Sequence, residues 1–163
     1  MSETAKRGLE LFRGRAQCAS CHTIGTKEAL FTDHDFHSLG VGMPAIEARL
    51  PELARRAHGL ERRDLDQAVL SQADLAALGR FLVTKRPADI GKFKTPSLRN
   101  VAVTGPYMHD GSVPTLEEAL EHEVYYRGFA SGEPLALTAD EKAALLAFLS
   151  ALTDRQYMHL QSR

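Results

Sequence analysis

Near its amino end the chain carries Cys18-Ala19-Ser20-Cys21-His22, and it has no cysteines outside this stretch. A strain-free disulfide is hard to close over so short a loop unless the pair is a redox site. Two thiols separated by two residues and followed by a histidine form the attachment pattern of c-type haem. The thiols add to the two vinyl groups, and the tether places the histidine beside the iron. The segment therefore predicts one covalent haem c, held by Cys18 and Cys21, with His22 as an axial ligand.

The cysteine pair has two further interpretations, a thioredoxin-like redox site and half of a zinc site. A redox pair is expected after a strand in a βαβ pattern, whereas residues 4–13 place their apolar side chains on one face of a helix. A zinc site is expected to have a second ligand pair at close spacing. His34 and His37 are separated by only two residues, so they do not form the usual histidine pair. Haem attachment is the interpretation that the surrounding sequence favours.

Composition favours one ordinary globular domain over residues 1–163, because 44% of the residues are apolar and 25% are charged. The formal charge is -1, so the sequence has no excess of basic residues of the kind that binds nucleic acid. No apolar run reaches the roughly 18 residues of a membrane span, and the first residues lack the apolar core of a signal peptide. Because bacteria attach haem covalently outside the inner membrane, we expect a periplasmic protein whose signal peptide is not present in this sequence.

Helical periodicity and capping patterns predict a mostly α fold with long ordered loops. Together with the haem-attachment motif, they indicate a c-type cytochrome fold, with helices around one covalent haem. The predicted helices are residues 4–13, 44–57, 60–70, a helix from the capping box Ser71–Asp74 to Val83, one from Thr115 to about Val124, and one starting at Thr138. Residues 23–42 and 85–114 are rich in turn-forming residues and are predicted to be loops. Since residues 23–42 lack a helical period, a large bound group is expected to anchor them, and the long loop at 85–114 is expected to be functional. No strand is predicted.

The second axial ligand of the haem is the larger question, because Met raises the potential, His and Tyr lower it, and an open site lets peroxide bind. Side chains of the right types are Met43, Met108, Met158, His34, His37, His109, His122, Tyr125 and Tyr126. The residue types alone leave this ligand open.

Further stretches extend the pattern over most of the chain. They are Leu30–Gly40, Phe93–Asn100, Gly105–Ser112 and Thr115–Glu118. Together with residues 18–22 they resemble the carboxy-terminal haem domain of the bacterial di-haem cytochrome c peroxidase and MauG superfamily. The resemblance implies one covalent haem c and, as partner, a redox protein or a second haem domain.

The resemblance also implies where the second axial ligand lies. In that family it is near the end of the helix after the His-Asp-Gly turn, and is Met in the peroxidases and Tyr in the MauG-like branch. No Met is available there in this chain. Tyr125 matches the family's Tyr-x-Arg-Gly ending and is the first choice, whereas ungapped counting from His109 reaches Glu123. His122, Tyr126 and Met108 are also candidates for this ligand.

Two further groups are candidates for binding roles. Thr104 and Pro106 match backbone carbonyls that bind calcium between the two haem domains in the family, in keeping with the oxygen ligands that calcium prefers. Arg99 and Arg80 are candidate partners of the haem propionates, because a guanidinium matches a carboxylate as a fork. Both arginines could instead be ordinary surface charges.

Two functions follow from the resemblance. The leading one is a mono-haem electron-transfer domain, because the chain has one C-x-x-C-H motif and no Trp, whereas relatives use two haems and a Trp between them. The second is a peroxidase-like oxidoreductase in which the iron reacts with hydrogen peroxide through a ferryl state that an anionic Tyr125 stabilises. Whether the chain is an enzyme stays open at this point, and a purely structural remnant is the third possibility.

Overall fold

A computed structural model describes residues 1–132 and 135–161, with the backbone alone at 128–131. The α-helices are α1 (Glu3–Arg13), α2 (Met43–Ile46), α3 (Leu50–Gly59), α4 (Leu65–Ser71), α5 (Ala73–Ala76), α6 (Phe81–Thr84), α7 (Leu116–Ser131) and α8 (Ala139–Ser150). The strands β1 (Phe36–His37) and β2 (Phe93–Lys94) pair antiparallel, with Phe36 opposite Lys94. The predicted mostly α fold is confirmed. Within the described part of the chain, no helix combines the length and hydropathy that crossing a bilayer requires.

The chain forms two compact units. The first consists of Met1–Asp35 and Thr95–Arg163 and contains the C-x-x-C-H motif with α1, α7 and α8. The second is Phe36–Lys94 and contains α2 to α6 and both strands. A single domain over residues 1–163 stays a prediction.

The first unit is built on the close packing of α1 against α8. Gly8 allows this approach, because a Cβ atom at that position would stand 2.0 Å from the carbonyl oxygen of Ala144. Beside this contact lies an aromatic cluster of Phe12, Phe31 and Phe148, with ring centroids 5.2 to 6.1 Å apart. All three side chains are buried, so the start of the chain, the loop after the motif and α8 share one core.

Both predicted capping boxes of the first unit are present. At α8 the Thr138 hydroxyl accepts from the Glu141 N–H at 3.2 Å, and the Glu141 carboxylate accepts from the Thr138 N–H at 2.8 Å. Thr115 makes the same exchange with Glu118 at the start of α7. α7 continues to Ser131, past its predicted end near Val124.

In the second unit, the prediction of one helix from Ser71 to Val83 is wrong. The Ser71 hydroxyl bonds back to the Gln67 carbonyl within α4 instead of capping a new helix. After the short α5, the chain turns at Gly79, whose φ of +56° favours glycine. A Cβ atom there would lie 2.4 Å from the Lys92 carbonyl oxygen. The helix breaks because the backbone at Gly79 packs directly against a distant segment.

Asp89 is the centre of a group of polar interactions in the second unit, although its side chain is only 7% exposed. Its carboxylate accepts from the Thr84 hydroxyl at 2.9 Å and lies 3.6 Å from both Arg80 Nε and Lys92 Nζ. The Thr84 hydrogen bond and then the neighbouring cations hold the pKa of Asp89 below its usual value. The Arg80 guanidinium also lies 4.2 Å from the centre of the Phe36 ring.

Candidate haem-attachment site

A short 3-10 turn, Cys18–Ser20, carries the motif directly after α1. The turn is opened by Gln17, which adopts a left-handed φ of 52°. The His22 N–H donates to the Cys18 carbonyl at 3.0 Å, so the backbone folds the motif back on itself. Both cysteines are free thiols and partly buried.

The burial and the pKa of the Cys18 thiol argue against a redox-active cysteine pair. Burial raises the pKa of its thiol to about 11, with a smaller lowering by the Arg127 charge and a smaller raising by Glu123. Redox-active cysteines are exposed and have lowered pKa values. A thiol that stays protonated and packs against the apolar core is instead suited to a structural or covalently capped role.

The imidazole of His22 is oriented by the backbone. Its Nδ1 lies 2.8 Å from the Phe31 carbonyl oxygen. Because a carbonyl oxygen can only accept, Nδ1 carries the proton and Nε2 is left with its lone pair. Burial, the main cause, lowers the pKa of His22. A neutral histidine whose second nitrogen is fixed by a carbonyl is the usual form of a metal ligand.

The loop that presents the Phe31 carbonyl is held by hydroxyl groups. Phe31 itself has a φ of +56°, which is a strained conformation for a bulky residue. The Thr23 hydroxyl donates to the Thr32 carbonyl at 2.7 Å, and the Thr32 hydroxyl donates to the Thr95 carbonyl at 2.7 Å. These hydrogen bonds tie the loop to neighbouring segments, and anchoring of the loop by a bound group stays a prediction.

α7 places an ion pair at the edge of the motif. Arg127 Nη1 donates to the Ala16 carbonyl at 3.2 Å, and its Nη2 lies 3.2 Å from Glu123 Oε2. The side chains are 18% and 28% exposed, respectively. The charge of Glu123 raises, and that of Arg127 lowers, the pKa values of Cys18 and His22. Sequence reasoning missed Arg127, although its spacing of four residues from Glu123 is a helical ion-pair signal.

Tyr125, the first choice for the second axial ligand, lies on a different side of α7 from the pair of Glu123 and Arg127. Its side chain is 67% exposed, and its ring meets that of Tyr126 edge-on at 5.3 Å. Tyr126 in turn stacks on His122 at 4.4 Å. Successive helical residues are rotated by about 100°, so Tyr125 stands about 200° around the helix from Glu123. Iron binding by Tyr125 stays a prediction.

The two candidate propionate partners both have acidic partners of their own. Arg99 lies 3.2 Å from Asp154 at 43% side-chain exposure. Arg80 belongs to the second unit, where it lies beside Asp89 and the Phe36 ring. Their roles toward a haem stay predictions.

Three further candidates lie in the loop before α7. Thr104 and Pro106 are exposed, and the Thr104 hydroxyl donates to the Val101 carbonyl at 3.1 Å. Met108 sits in the His-Asp-Gly turn with a φ of +68°. Calcium binding by the first two, and iron binding by Met108, stay predictions.

The residues of the motif together suit a covalent haem. Cys18 and Cys21 are unoxidised thiols on one turn, and His22 presents a neutral imidazole with Nε2 available. An apolar wall that includes Phe12 and Phe31 stands beside them, with the Phe12 ring 6.5 Å from that of His22. A macrocycle with apolar faces needs such a wall, and its iron needs such a nitrogen.

Comparison with known proteins supports the same identification, although no protein-family profile matches the chain. It is 39% identical over 160 residues to cytochrome-c peroxidase IdrP1 of Denitromonas iodatirespirans, which covers 94% of this chain and 41% of the relative. It is 32% identical over 155 residues to the methylamine utilization protein MauG of Methylorubrum extorquens, covering 91% and 34%. The chain thus spans about two fifths or less of these relatives.

Solved structures give the same result. A MauG-like protein associated with microbial copper homeostasis matches with a TM-score of 0.62 and 31% identity, covering 96% of this chain and 48% of that one. The diheme peroxidase BthA of Burkholderia thailandensis matches with a TM-score of 0.60 and 25% identity, covering 96% and 44%. The chain belongs to the cytochrome-c peroxidase and MauG family and corresponds to its carboxy-terminal haem domain.

Proposed function

We propose that this chain is a haem c domain that passes single electrons to or from a redox partner. The observation that carries the proposal is the hydrogen bond from His22 Nδ1 to the Phe31 carbonyl, beside two free thiols on one turn. That bond serves an iron ligand, because it sets the tautomer and fixes the ring before any metal binds. Bound haem would supply a one-electron couple between ferric and ferrous iron.

The protein's own groups then have separate tasks. Cys18 and Cys21 hold the macrocycle through thioether bonds, and His22 binds the iron. The buried aromatic rings of Phe12 and Phe31 would keep water away from His22 when haem is bound. Apolar surroundings have a low dielectric constant, which changes the energy of the charged form of the iron and so influences its reduction potential.

The wider setting is part of the proposal. Because the chain spans about two fifths of its cytochrome-c peroxidase relatives, its electron partner is either a second haem domain or a separate redox protein. Thr104 and Pro106 are proposed to contribute carbonyls to a calcium ion, and Arg99 and Arg80 to pair with the haem propionates. The proposed location is the periplasm, where covalent haem attachment occurs in bacteria.

A second candidate function is peroxidase chemistry on hydrogen peroxide, supported by the names of the relatives. It requires an iron position that peroxide can reach, whereas an electron-transfer haem keeps both axial positions filled. The two functions therefore differ in the coordination of the resting ferric iron.

One experiment tests both candidates. The purified chain is first stained for covalent haem on a denaturing gel, and its ferric and ferrous absorption and electron paramagnetic resonance spectra are then recorded before and after one equivalent of hydrogen peroxide. A six-coordinate haem that reduces reversibly and ignores peroxide supports electron transfer. A spectrum that changes on peroxide addition, and is restored by a reduced donor, supports the peroxidase. A chain without covalent haem contradicts both.

A further inference from the structure

We infer that the carboxylate of Glu123, rather than the phenol of Tyr125, is the second protein ligand of the haem iron, and that Arg127 positions it. The inference rests on the proposed haem-binding function and names the group that completes the site.

The first step is to establish which side of α7 meets the motif. Leu120 and Val124 pack into the core cluster that also contains Phe12 and Ala16, and Cys18 packs against that same cluster. One turn further along, Arg127 reaches the Ala16 carbonyl at 3.2 Å. The side of α7 that carries these residues is therefore the side that adjoins the attachment turn.

The second step is to ask which iron-binding side chain shares that side. With about 100° per residue, Glu123 lies within about 60° of Leu120 and within about 40° of Arg127. Tyr125 lies about 200° away from Glu123 and is 67% exposed. Glu117 also lies on this side but is exposed, so among the side chains of α7 that the structure describes, Glu123 is the one that combines a metal-binding atom, partial burial and this side of the helix.

Tyr126 and His122 occupy the flank of α7 instead. They lie about 60° and 100° from Glu123, turned away from Arg127, and their rings stack on each other with centroids 4.4 Å apart. That mutual stacking accounts for both rings without an iron.

The third step concerns the carboxylate itself. Arg127 Nη2 donates to Oε2 of Glu123, and Nη1 of the same guanidinium donates to the Ala16 carbonyl. Pairing with a partly buried guanidinium limits the rotamers of the carboxylate. A carboxylate has two oxygens, so pairing through Oε2 leaves Oε1 as the atom for a metal. Arg127 is thus a positioning residue, which acts through Glu123.

An anionic oxygen ligand has a measurable consequence. It stabilises ferric over ferrous iron, so it lowers the reduction potential, as a tyrosine ligand does and a methionine ligand does not. Replacing Glu123 should therefore change the ferric spectrum and raise the midpoint potential.

The test uses the full chain with its covalent haem and compares variants with the parent protein. Glu123→Gln should shift the ferric absorption and electron paramagnetic resonance spectra and raise the midpoint potential. Tyr125→Phe should leave both unchanged. Glu117→Gln is the matched control, because it removes the same charge from an exposed position of the same helix. Arg127→Gln should shift the midpoint potential less than Glu123→Gln does. Arg127→Lys, which retains the positive charge, should have a midpoint potential close to that of the parent protein.

Glu123→Met supplies a second, positive test, including the case in which Glu123→Gln does not fold. Methionine is a good helix former, and its sulfur on the iron should give a six-coordinate spectrum with a further raised potential. An unchanged ferric spectrum in folded Glu123→Gln or Glu123→Met overturns the assignment, and so does a changed spectrum in Tyr125→Phe. Haem staining keeps the two proposals apart: a parent chain without stain overturns the haem-binding function, whereas a stained chain insensitive at position 123 overturns only the ligand.

Discussion

His22 Nδ1 lies 2.8 Å from the carbonyl oxygen of Phe31, so the imidazole ring is oriented by the main chain. A main-chain carbonyl has no proton to donate, so it can only accept a hydrogen bond from the imidazole. The loop that carries it is tied down by threonine hydroxyls, one of which is buried. His22 is therefore held in place by hydrogen bonds within the chain itself.

His22→Gly should separate attachment from coordination. Because Cys18 and Cys21 are the proposed thioether residues, haem staining on a denaturing gel should persist while the ferric absorption spectrum changes. Added imidazole should restore much of the parent spectrum by filling the vacated position. His159→Ala, which changes an exposed histidine outside the motif, serves as the control. A parent-like spectrum for His22→Gly would show that another residue binds the iron.

Gly8→Ala should destabilise the first unit strongly. The new methyl group would meet the Ala144 carbonyl at 2.0 Å, and a backbone atom cannot swing away as a side chain can. We expect a loss of about 3 kcal/mol in the free energy of unfolding, measured by urea titration. Gly59→Ala has nothing within 4 Å and should gain roughly 0.5 kcal/mol. Equal midpoints for both variants would mean that α1 and α8 move apart at little cost.

Thr138→Ala should weaken the start of α8. It removes the hydroxyl that accepts from the Glu141 N–H, and loss of such a cap costs about 1 kcal/mol. Thr138→Ser retains the oxygen and should stay close to the parent protein. Urea midpoints of the two variants check this, and a serine variant as unstable as the alanine one would assign the effect to the lost methyl group instead.

Asp89→Asn should destabilise the second unit in a pH-dependent way. Since the folded pKa of Asp89 lies below its usual value of about 3.9, its ionised form stabilises the fold at neutral pH, and this contribution disappears as the pH falls through the folded pKa. The gap in stability between Asp89→Asn and the parent should be full at pH 7 and shrink below about pH 4. Thermal melts across this range provide the measurement.

The matched control for Asp89→Asn is Asp66→Asn, an exposed aspartate of the same unit. It should show little change in stability at either pH. A gap for Asp89→Asn that stays constant from pH 7 to pH 3 would mean that the carboxylate charge is not what stabilises this unit.

Local patterns predicted the elements that local rules govern. α1 follows from its apolar period, and α7 and α8 follow from the capping boxes at Thr115 and Thr138. The break at Gly79 could not be predicted in this way, because its cause is the Lys92 carbonyl on a segment that is remote in sequence.

In the candidate site, too, local patterns predicted some features, whereas others depend on contacts between distant parts of the sequence. The motif itself names Cys18, Cys21 and His22, since their chemistry depends on spacing alone. The contact of Arg127 with the Ala16 carbonyl could not be recognised from the sequence, because the two residues are 111 positions apart. Ranking Tyr125 first relied on a matched ending, whereas the structure shows that residue 67% exposed.

The contact between Gly8 and Ala144 also bears on how the protein is made. Arg15 next to the motif pairs with Glu141 on α8, 126 residues later, so the frame around the two thiols closes only when α8 has been synthesised. Until then, the aromatic cluster lacks Phe148 and the cysteines stand on an unfinished core. A chain shortened before α8 would therefore lack part of the core that stands beside the two cysteines.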